Sequence, residues 1–218
     1  MSLFITFEGG EGSGKSVQAR ALYRRLSKLA IPVLLTREPG GTPLGNKLGR
    51  WLKWTDDRDI SPLTELLLFN ASRVQSISEI IRPNLESGIT VICDRYADST
   101  TVYQSYGRGL DLGIVQTINN VATQGLKPDL TVLLDMSVEV GLDRKRNRRY
   151  DRFEQEEIAF HQRVREGYLK LAANEPERWL VINGAQSKEK IAQIIWQRVS
   201  QMLSSQSKEQ VEDGEIGK

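Results

Sequence analysis

Five short apolar runs recur along the chain, and segments with helical spacing separate them. The runs lie at 3–7, 33–36, 89–93, 130–135 and 179–182. Continuous apolar runs of this length are typical of strands that are buried on both faces of a parallel sheet. Apolar residues recur at helical intervals in the segments 17–30, 44–54, 61–86, 112–121, 158–171 and 191–203. This alternation predicts an α/β fold in which a five-stranded parallel sheet is flanked by helices in three layers.

The loop after the first run has the pattern of a phosphate-binding loop. It reads GGEGSGKS and fits G-x-x-x-x-G-K-[ST] between a strand and a helix, as in a P-loop NTPase fold. Glycines let backbone N–H groups turn towards phosphate oxygens, the lysine reaches the outer phosphates, and the serine hydroxyl can bind Mg²⁺. The predicted nucleotide-phosphate site is Gly9, Gly10, Glu11, Gly12, Ser13, Gly14, Lys15 and Ser16. A Gly-rich turn before an ordinary helix is the alternative.

Two further stretches offer side chains for a ligand. The second run ends in REPGGT at 37–42, where open α/β sheets bind ligands, although a simple chain reversal would also use these residues. In the helix predicted for 61–86, Phe69 and Arg73 lie four residues apart and project from one side. A ring and a guanidinium in this register can stack on a base and hydrogen-bond its edge. A core Phe beside a surface Arg is the alternative.

Polar residues directly follow the third apolar run. Asp94 and Arg95 fall at the same edge of the sheet as the phosphate loop, so Asp94 can act near Mg²⁺ and Arg95 can bind a phosphate. A structural ion pair is the alternative. The segment STTVYQ then supplies hydroxyls, including that of Thr100, as well as a ring and an amide. Gln104 can pair with a base edge, and Tyr103 can pack against a sugar.

The segment 143–152, which reads DRKRNRRYDR, is rich in arginine. A solvated face or a nucleic-acid patch would share this composition, but folded elements bound the segment and two aspartates interrupt it. Beside a phosphate site, we expect a mobile lid whose arginines close over the phosphates during transfer. Arg144 and Arg148 are the candidate catalytic residues, and Arg148 is the stronger because it lies past the helical stem.

Composition limits the function classes. A chain of 218 residues with 39% hydrophobic and 27% charged residues predicts one globular domain over 1–203, and a net charge of +2 gives no indication of a nucleic-acid polymer as partner. The single cysteine, Cys93, excludes an internal disulfide and is expected in the core. With no signal peptide and no apolar run of about 18 residues, we expect a cytoplasmic protein without a membrane segment. His161 is expected on the surface or in packing, and the polar residues 204–218 predict a disordered tail.

Taken in order, the motifs resemble those of one enzyme family, the thymidylate kinases of bacterial type. They are FEGGEGSGKS, TREPGGT, LLLFNASRVQ, DRY followed by STTVYQ, GRG at 107–109, KPDL before LLD, and the basic segment ending in DRFE. The resemblance covers about residues 3–200. It implies transfer of the γ-phosphoryl group of ATP to the 5′-phosphate of dTMP, giving dTDP and ADP, with Mg²⁺ as cofactor and a homodimeric assembly.

The resemblance also implies roles at the acceptor nucleotide. Arg95 would bind the acceptor phosphate, and Phe69 would stack on the thymine ring. Arg73 and Gln104 would bind the polar edge of the base. Tyr103 would crowd the 2′ position and so favour a deoxyribose.

On the donor side, Lys15 and the loop amides would hold the ATP phosphates, Ser16 would bind magnesium, and Glu11 would lie near the sugar or the magnesium ion. A phosphate monoester is already an anionic nucleophile, so alignment and charge neutralisation suffice for catalysis. Some family members carry a basic residue in the phosphate loop, whereas this loop has Gly10 to Ser13 there. The lid must therefore supply the cationic help.

The chain departs from the family at Gly49, where bacterial relatives typically place an arginine for the acceptor phosphate. Arg50 is next, about 100° further round the helix. Two other functions stay open at this point. A deoxynucleoside kinase would share the fold but would need a carboxylate base for a neutral 5′-hydroxyl. A P-loop switch or motor would need signatures such as N-K-x-D, which the sequence lacks.

Overall fold

The computed structural model describes residues 2–55, 60–146 and 150–215. Its five strands form one parallel sheet in the order β2-β3-β1-β4-β5. The strands are β1 Phe4–Glu8, β2 Val33–Arg37, β3 Thr90–Asp94, β4 Leu130–Asp135 and β5 Trp179–Asn183. The predicted α/β fold with a five-stranded parallel sheet is therefore confirmed. Because β1 lies in the centre of the sheet, the phosphate loop begins at the middle of its carboxyl edge.

Helices cover both faces of the sheet. They are α1 Lys15–Lys28, α2 Pro43–Trp54, α3 Pro62–Ser76, α4 Arg82–Glu86, α5 Ala97–Thr101, α6 Leu112–Thr123, α7 Val138–Asp143, α8 Ile158–Asn174 and α9 Lys188–Glu215. Pro62 at the first position and a hydrogen bond from the Thr64 N–H to the Ser61 hydroxyl explain where α3 begins. The turn Ile77–Ile81 is π-helical and joins α3 to α4, so the helix predicted for 61–86 is continuous.

The apolar runs form the core because both faces of the strands are covered. One cluster packs β1 and β4 against α1 and α9, with Phe7, Leu26 and Ile195 buried. Two others pack the opposite face, around Tyr168 on α8 and around Ile77. Burial of this kind contributes roughly 1.5–3 kcal/mol for each large apolar side chain. Cys93 and His161 are both buried, so Cys93 lies in the core as expected and His161 is a packing residue and not a surface one.

The carboxyl-terminal helix α9 continues to Glu215. The expectation of a disordered tail at 204–218 stays a prediction. No helix among the described residues is long and apolar enough to cross a membrane.

Candidate active site

A cleft of about 1320 Å³ runs along the carboxyl edge of the sheet. Most of the predicted site residues line it. They are Glu11, Gly12, Ser13, Gly14, Lys15, Ser16, Phe69, Arg73, Asp94, Arg95, Thr100, Tyr103, Gln104 and Arg144. Its volume exceeds the roughly 300–1,000 Å³ of a typical single-ligand pocket, so two nucleotides can share it.

The backbone of the phosphate loop requires glycine. Gly9 and Gly12 have φ values of 137° and 69°, a backbone conformation that residues with a side chain rarely adopt. A Cβ atom would lie 2.5 Å from the Leu134 carbonyl oxygen at Gly9 and 1.9 Å from the Gly141 carbonyl oxygen at Gly12. The loop thus packs closely between the end of β4 and α7, and its residues 11–16 line the cleft at the start of α1, where a helix N-terminus favours an anion.

Lys15 reaches back into the loop from the first turn of α1. Its Nζ donates to the Gly10 carbonyl at 2.6 Å and to the Ser13 hydroxyl at 3.3 Å. Burial, with a further contribution from the Arg95 charge, lowers the pKa of Lys15 to about 7. A bound polyphosphate would restore the charged ammonium, because opposite charges favour ionisation. Lys15 is thus poised to bind an anion.

Glu11 joins the loop to two cations. Arg95 donates to its carboxylate at 2.5 Å, and Lys145 donates to its other oxygen at 2.6 Å. Burial alone would raise the pKa of Glu11, but Arg95, Lys15 and Lys145 together hold it well below its usual range. The carboxylate therefore accepts hydrogen bonds and is a poor proton donor at neutral pH.

Arg95 is held over the middle of the cleft. It follows β3 with φ of 71°, and its guanidinium lies 5.1 Å from the centre of the Tyr103 ring. The Nη2 group contacts the Tyr103 hydroxyl at 3.2 Å, and Nη1 contacts the Ser99 hydroxyl at 3.1 Å. A guanidinium fixed in this way presents a fork of N–H groups suited to a phosphate.

Glu8, at the end of β1, holds the residues that contact Arg95. It accepts hydrogen bonds from the Ser99 hydroxyl at 2.5 Å, the Tyr168 hydroxyl at 2.9 Å and the Tyr96 N–H at 2.7 Å. Since both hydroxyls donate to Glu8, their lone pairs are available to Arg95. Burial raises the pKa of Glu8 to about 7, and the nearby Asp98 charge adds to this shift.

The raised pKa predicts how Glu8 affects stability. The folded state holds the Glu8 proton up to about pH 7, whereas the unfolded state loses it near pH 4.5. The stabilising contribution is therefore complete below pH 4.5 and is lost as the pH rises through 7, a change on the order of 3 kcal/mol. We expect Glu8→Gln, which cannot ionise, to gain stability relative to wild type between pH 5 and pH 8. Urea unfolding at both pH values tests this, and a pH-independent difference would contradict it.

The far end of the cleft has an aromatic wall and a buried cation. Phe69 lines it and lies 5.7 Å from Phe153 between ring centres, while Arg73 is only 2% exposed. Arg73 donates to Glu38 and to Thr100, each at 2.8 Å, and both of these residues also line the cleft. The alternative of a surface Arg73 is therefore wrong. Phe69 and Arg73 do face one side, as their spacing predicts.

Arg73 has further partners behind this wall. Its Nη1 donates to Asn70 and to Asn119, each at 3.1 Å. These contacts and those to Glu38 and Thr100 use four of the five guanidinium N–H groups, so one N–H on Nη2 is left for a ligand. Gln104, buried close by in the π-helical segment Val102–Gly107, donates its amide to Glu65 at 2.8 Å.

The oxygen atoms at the phosphate end suit a magnesium ion. Ser16 and Asp94 both line the cleft beside Lys15. Among the described residues, no group of three or more His, Cys, Asp or Glu could hold a metal ion. Mg²⁺ needs no such group, because it usually keeps several waters and binds one or two protein oxygens together with substrate phosphates. A hydroxyl and a carboxylate next to a phosphate loop fit that requirement.

The basic segment is only partly oriented towards the cleft. Arg144 lines it and donates to the Gly184 carbonyl at 3.3 Å, while the exposed Arg146 pairs with Asp143. Arg148 lies outside the described residues. Arg152 is not among the residues that line the cleft, and it pairs with Glu65. The single lid predicted for 143–152 thus contains arginines with different surroundings.

The departure at Gly49 has a steric reason. A Cβ atom there would lie 3.0 Å from the carbonyl oxygen and 3.2 Å from Cγ of Pro39. Helix α2 therefore packs closely on the REPGGT loop, and the next residue, Arg50, lines the cleft. The REPGGT loop is more than a chain reversal, because Glu38 binds Arg73 and Pro39 lines the cleft.

Several residues of the site were not predicted from the sequence. Glu8, Glu38 and Glu65 are buried carboxylates whose partners come from distant parts of the chain. A glutamate next to an apolar run could have indicated Glu8 as a buried charge in need of partners. Lys145 belongs to the basic segment, but its contact with Glu11 depends on how that segment folds back.

Comparison with known proteins agrees with this geometry. The family model described as thymidylate kinase matches residues 7–195. Thymidylate kinases from Dehalococcoides mccartyi and Roseiflexus castenholzii are 54% and 48% identical, over 93% and 94% of this chain and 98% and 96% of theirs. The crystal structure of thymidylate kinase from Ehrlichia chaffeensis matches with a TM-score of 0.70 and 36% identity, over 83% of this chain and 92% of that one. The chain belongs to the thymidylate kinase family.

Proposed function

We propose that this enzyme transfers the γ-phosphoryl group of ATP to the 5′-phosphate of dTMP, giving dTDP and ADP. The observation that carries the proposal is one continuous cleft with Lys15 at one end, Arg95 in the middle, and Phe69, Arg73 and Gln104 at the other. A nucleoside triphosphate at the loop and a nucleoside monophosphate at the aromatic wall would meet at Arg95. This is the arrangement that an in-line phosphoryl transfer requires.

In this proposal the protein aligns two anions and neutralises their charge. Lys15 and the N–H groups of residues 12–16 bind the donor phosphates, and Arg95 leaves Glu11 in part to bind the acceptor phosphate. Phe69 stacks on the thymine, and Tyr103 packs beside the sugar. Glu11 lies near the sugar or the magnesium ion, and Thr100 shapes the floor of the base site through Arg73.

A deoxynucleoside kinase on the same fold is the weaker reading. It would need a free carboxylate to take a proton from a neutral 5′-hydroxyl. Glu11, the carboxylate of the phosphate loop, is paired with Arg95 and Lys145, and its pKa is held well below the usual range. A base with so low a pKa is ineffective near neutral pH, whereas a phosphate acceptor needs none.

Mg²⁺ would be held by the Ser16 hydroxyl and, directly or through water, by Asp94. When bound, it supplies positive charge that neutralises the β- and γ-phosphates of ATP.

The proposal also keeps two sequence-based expectations, a cytoplasmic location and a homodimer. Support for the homodimer comes from exposed apolar residues on the adjoining helices α3 and α6. They are Leu63, Leu67, Val74, Leu112, Ile114 and Val121.

The lid arginines give a prediction on turnover. The phosphate loop lacks an arginine, so charge on the migrating phosphoryl group must be met by other cations in a closed site. We expect Arg144→Ala to lower kcat about a hundredfold while both KM values change little, as for an interaction made mainly in the transition state. Arg148→Ala should do the same or more.

Arg146→Ala is the matched control. Arg146 is a neighbouring cation, 79% exposed and paired with Asp143, and its loss should leave kcat near wild type. Steady-state kinetics with ATP and dTMP varied separately measure these effects. A wild-type kcat in all three variants would show that the segment is a solvated face.

ADP release over a panel of nucleoside monophosphates tests the proposed function. With ATP and Mg²⁺ fixed, dTMP should exceed dCMP, dAMP and dGMP in kcat/KM by at least about tenfold, or 1.4 kcal/mol. Another nucleotide preferred to dTMP by that factor would overturn the base assignment. The assay without acceptor measures background ATP hydrolysis.

A further inference from the structure

Gln104 carries a buried acceptor that the protein itself does not satisfy. The side chain is 0% exposed and lies on the wall of the cleft. Its Nε2 donates to Oε1 of Glu65 at 2.8 Å. Its Oε1 has no hydrogen-bond partner among the described residues. A buried acceptor without a partner destabilises the protein, so the atom favours a ligand that donates a hydrogen bond to it.

Glu65 determines which end of the Gln104 amide is left over. It is 1% exposed on α3 and forms ion pairs with Arg108 at 3.2 Å and with Arg152. An ionised carboxylate only accepts hydrogen bonds, so only the NH₂ group of Gln104 can face it. The reversed amide would set two acceptors against each other in a buried site. Glu65 therefore removes the ambiguity that a glutamine normally has.

The carboxylate is itself fixed from three sides. Arg108 also pairs with Glu156 at 2.5 Å, and its guanidinium lies 5.0 Å from the centre of the Phe160 ring. Arg152 donates through Nε to the Leu52 carbonyl at 3.1 Å, and so ties Glu65 to the end of α2. The supporting residues come from three separate parts of the chain, at 52, 108 and 152–160. Such a network holds an orientation more firmly than a single contact does.

We infer that Glu65 is a positioning residue that turns the Gln104 carbonyl towards the base, and that it thereby selects pyrimidines with an N3–H group over those without one. Thymine and uracil carry a proton on N3 and can donate to Oε1. Cytosine presents an unprotonated N3, which would meet Oε1 as acceptor against acceptor. The inference rests on the proposed function, since it assumes that the base lies against Gln104.

The test is the ratio of kcat/KM for dTMP to that for dCMP. Glu65→Gln keeps the shape of the side chain but can present either end of its amide, so it frees Gln104 to reverse. The ratio should fall at least about tenfold, through a higher KM for dTMP and a gain with dCMP, while the KM for ATP changes little. Glu65→Asp keeps the charge for both arginines but withdraws the oxygen from Gln104. Glu65→Asp should lower the ratio too, and it provides the test if Glu65→Gln does not fold.

Two comparisons separate positioning from general damage. Glu156→Gln removes a charge next to Arg108 but keeps an oxygen that accepts its hydrogen bond, and Glu156 has no contact with Gln104, so the ratio should equal that of wild type. Adding Glu65→Gln to Gln104→Leu should produce no further fall in the ratio, because Glu65 acts through Gln104. A wild-type ratio in both Glu65 variants, or an equal further fall in the Gln104→Leu background, would overturn the inference. Wild-type enzyme without dTMP activity would instead refute the proposed function.

Discussion

Replacing Lys15 with alanine is expected to lower phosphoryl transfer by about a thousandfold or more, to the level of background hydrolysis. The Nζ atom lies inside the phosphate loop, 2.6 Å from the Gly10 carbonyl, and we propose that it binds the outer phosphates of a nucleotide there. The loss should appear in kcat/KM for ATP, measured by ADP release at saturating dTMP. Turnover near that of wild type would show that the loop is not the donor site.

The fold should survive this change. Burial holds the pKa of Lys15 at about 7, which means that the free protein gains little from the buried charge. The stability cost of the ammonium is present below pH 7 and fades as the pH rises towards 10.5, because the folded state has then lost the proton that the unfolded state keeps. Lys15→Met, which preserves the length of the side chain, should match the activity loss with a melting temperature equal to or above that of wild type.

Arg73→Ala should have the second largest effect, on both stability and dTMP binding. The guanidinium binds the buried Glu38, and removal of one partner of a buried ion pair typically costs about 3–5 kcal/mol. Burial already raises the pKa of Glu38, with Arg73 as the opposing charge, so the variant should raise it further. Protonated Glu38 then contributes stability that is complete below the unfolded-state pKa near 4.5 and is lost as the pH rises through the higher folded-state pKa. Unfolding experiments should show a larger deficit at pH 8 than at pH 5.

A double variant separates recognition from stability. Arg73→Met with Glu38→Gln leaves no unpaired charge and should recover most of the lost unfolding free energy. It still lacks the guanidinium N–H that we propose for the base, so the KM for dTMP should stay at least about tenfold above wild type, while that for ATP stays close to it. If the double variant recovered dTMP binding together with stability, Arg73 would be a structural residue only.

The sequence contains strong local signals for the sheet and for the phosphate loop. Each apolar run became a strand within about two residues, because short continuous apolar runs rich in β-branched residues are typical of strands buried on both faces of a parallel sheet. Gly9, Gly14, Lys15 and Ser16 are recognisable because their backbone requirements and their chemistry act within eight neighbouring residues. Helical spacing alone predicts that Phe69 and Arg73 lie on one side of a helix, but not that Arg73 is buried.

The support of the site could not be predicted in this way. Glu65 is 39 residues from Gln104 and 87 from Arg152, and Glu8 is 91 residues from Ser99. Which partners such carboxylates meet depends on tertiary packing, which no local pattern encodes. The basic segment shows the same limit, since its composition predicts one lid, whereas Arg144, Arg146 and Arg152 contact different parts of the molecule.

Identification of the product tests the central claim most directly. The enzyme is incubated with ATP and Mg²⁺ together with dTMP in one reaction and thymidine in another, and products are identified by mass spectrometry and quantified against ADP. We predict one dTDP for each ADP with dTMP, and no thymidine phosphorylation above background. Phosphorylation of thymidine without dTDP formation from dTMP would contradict the account.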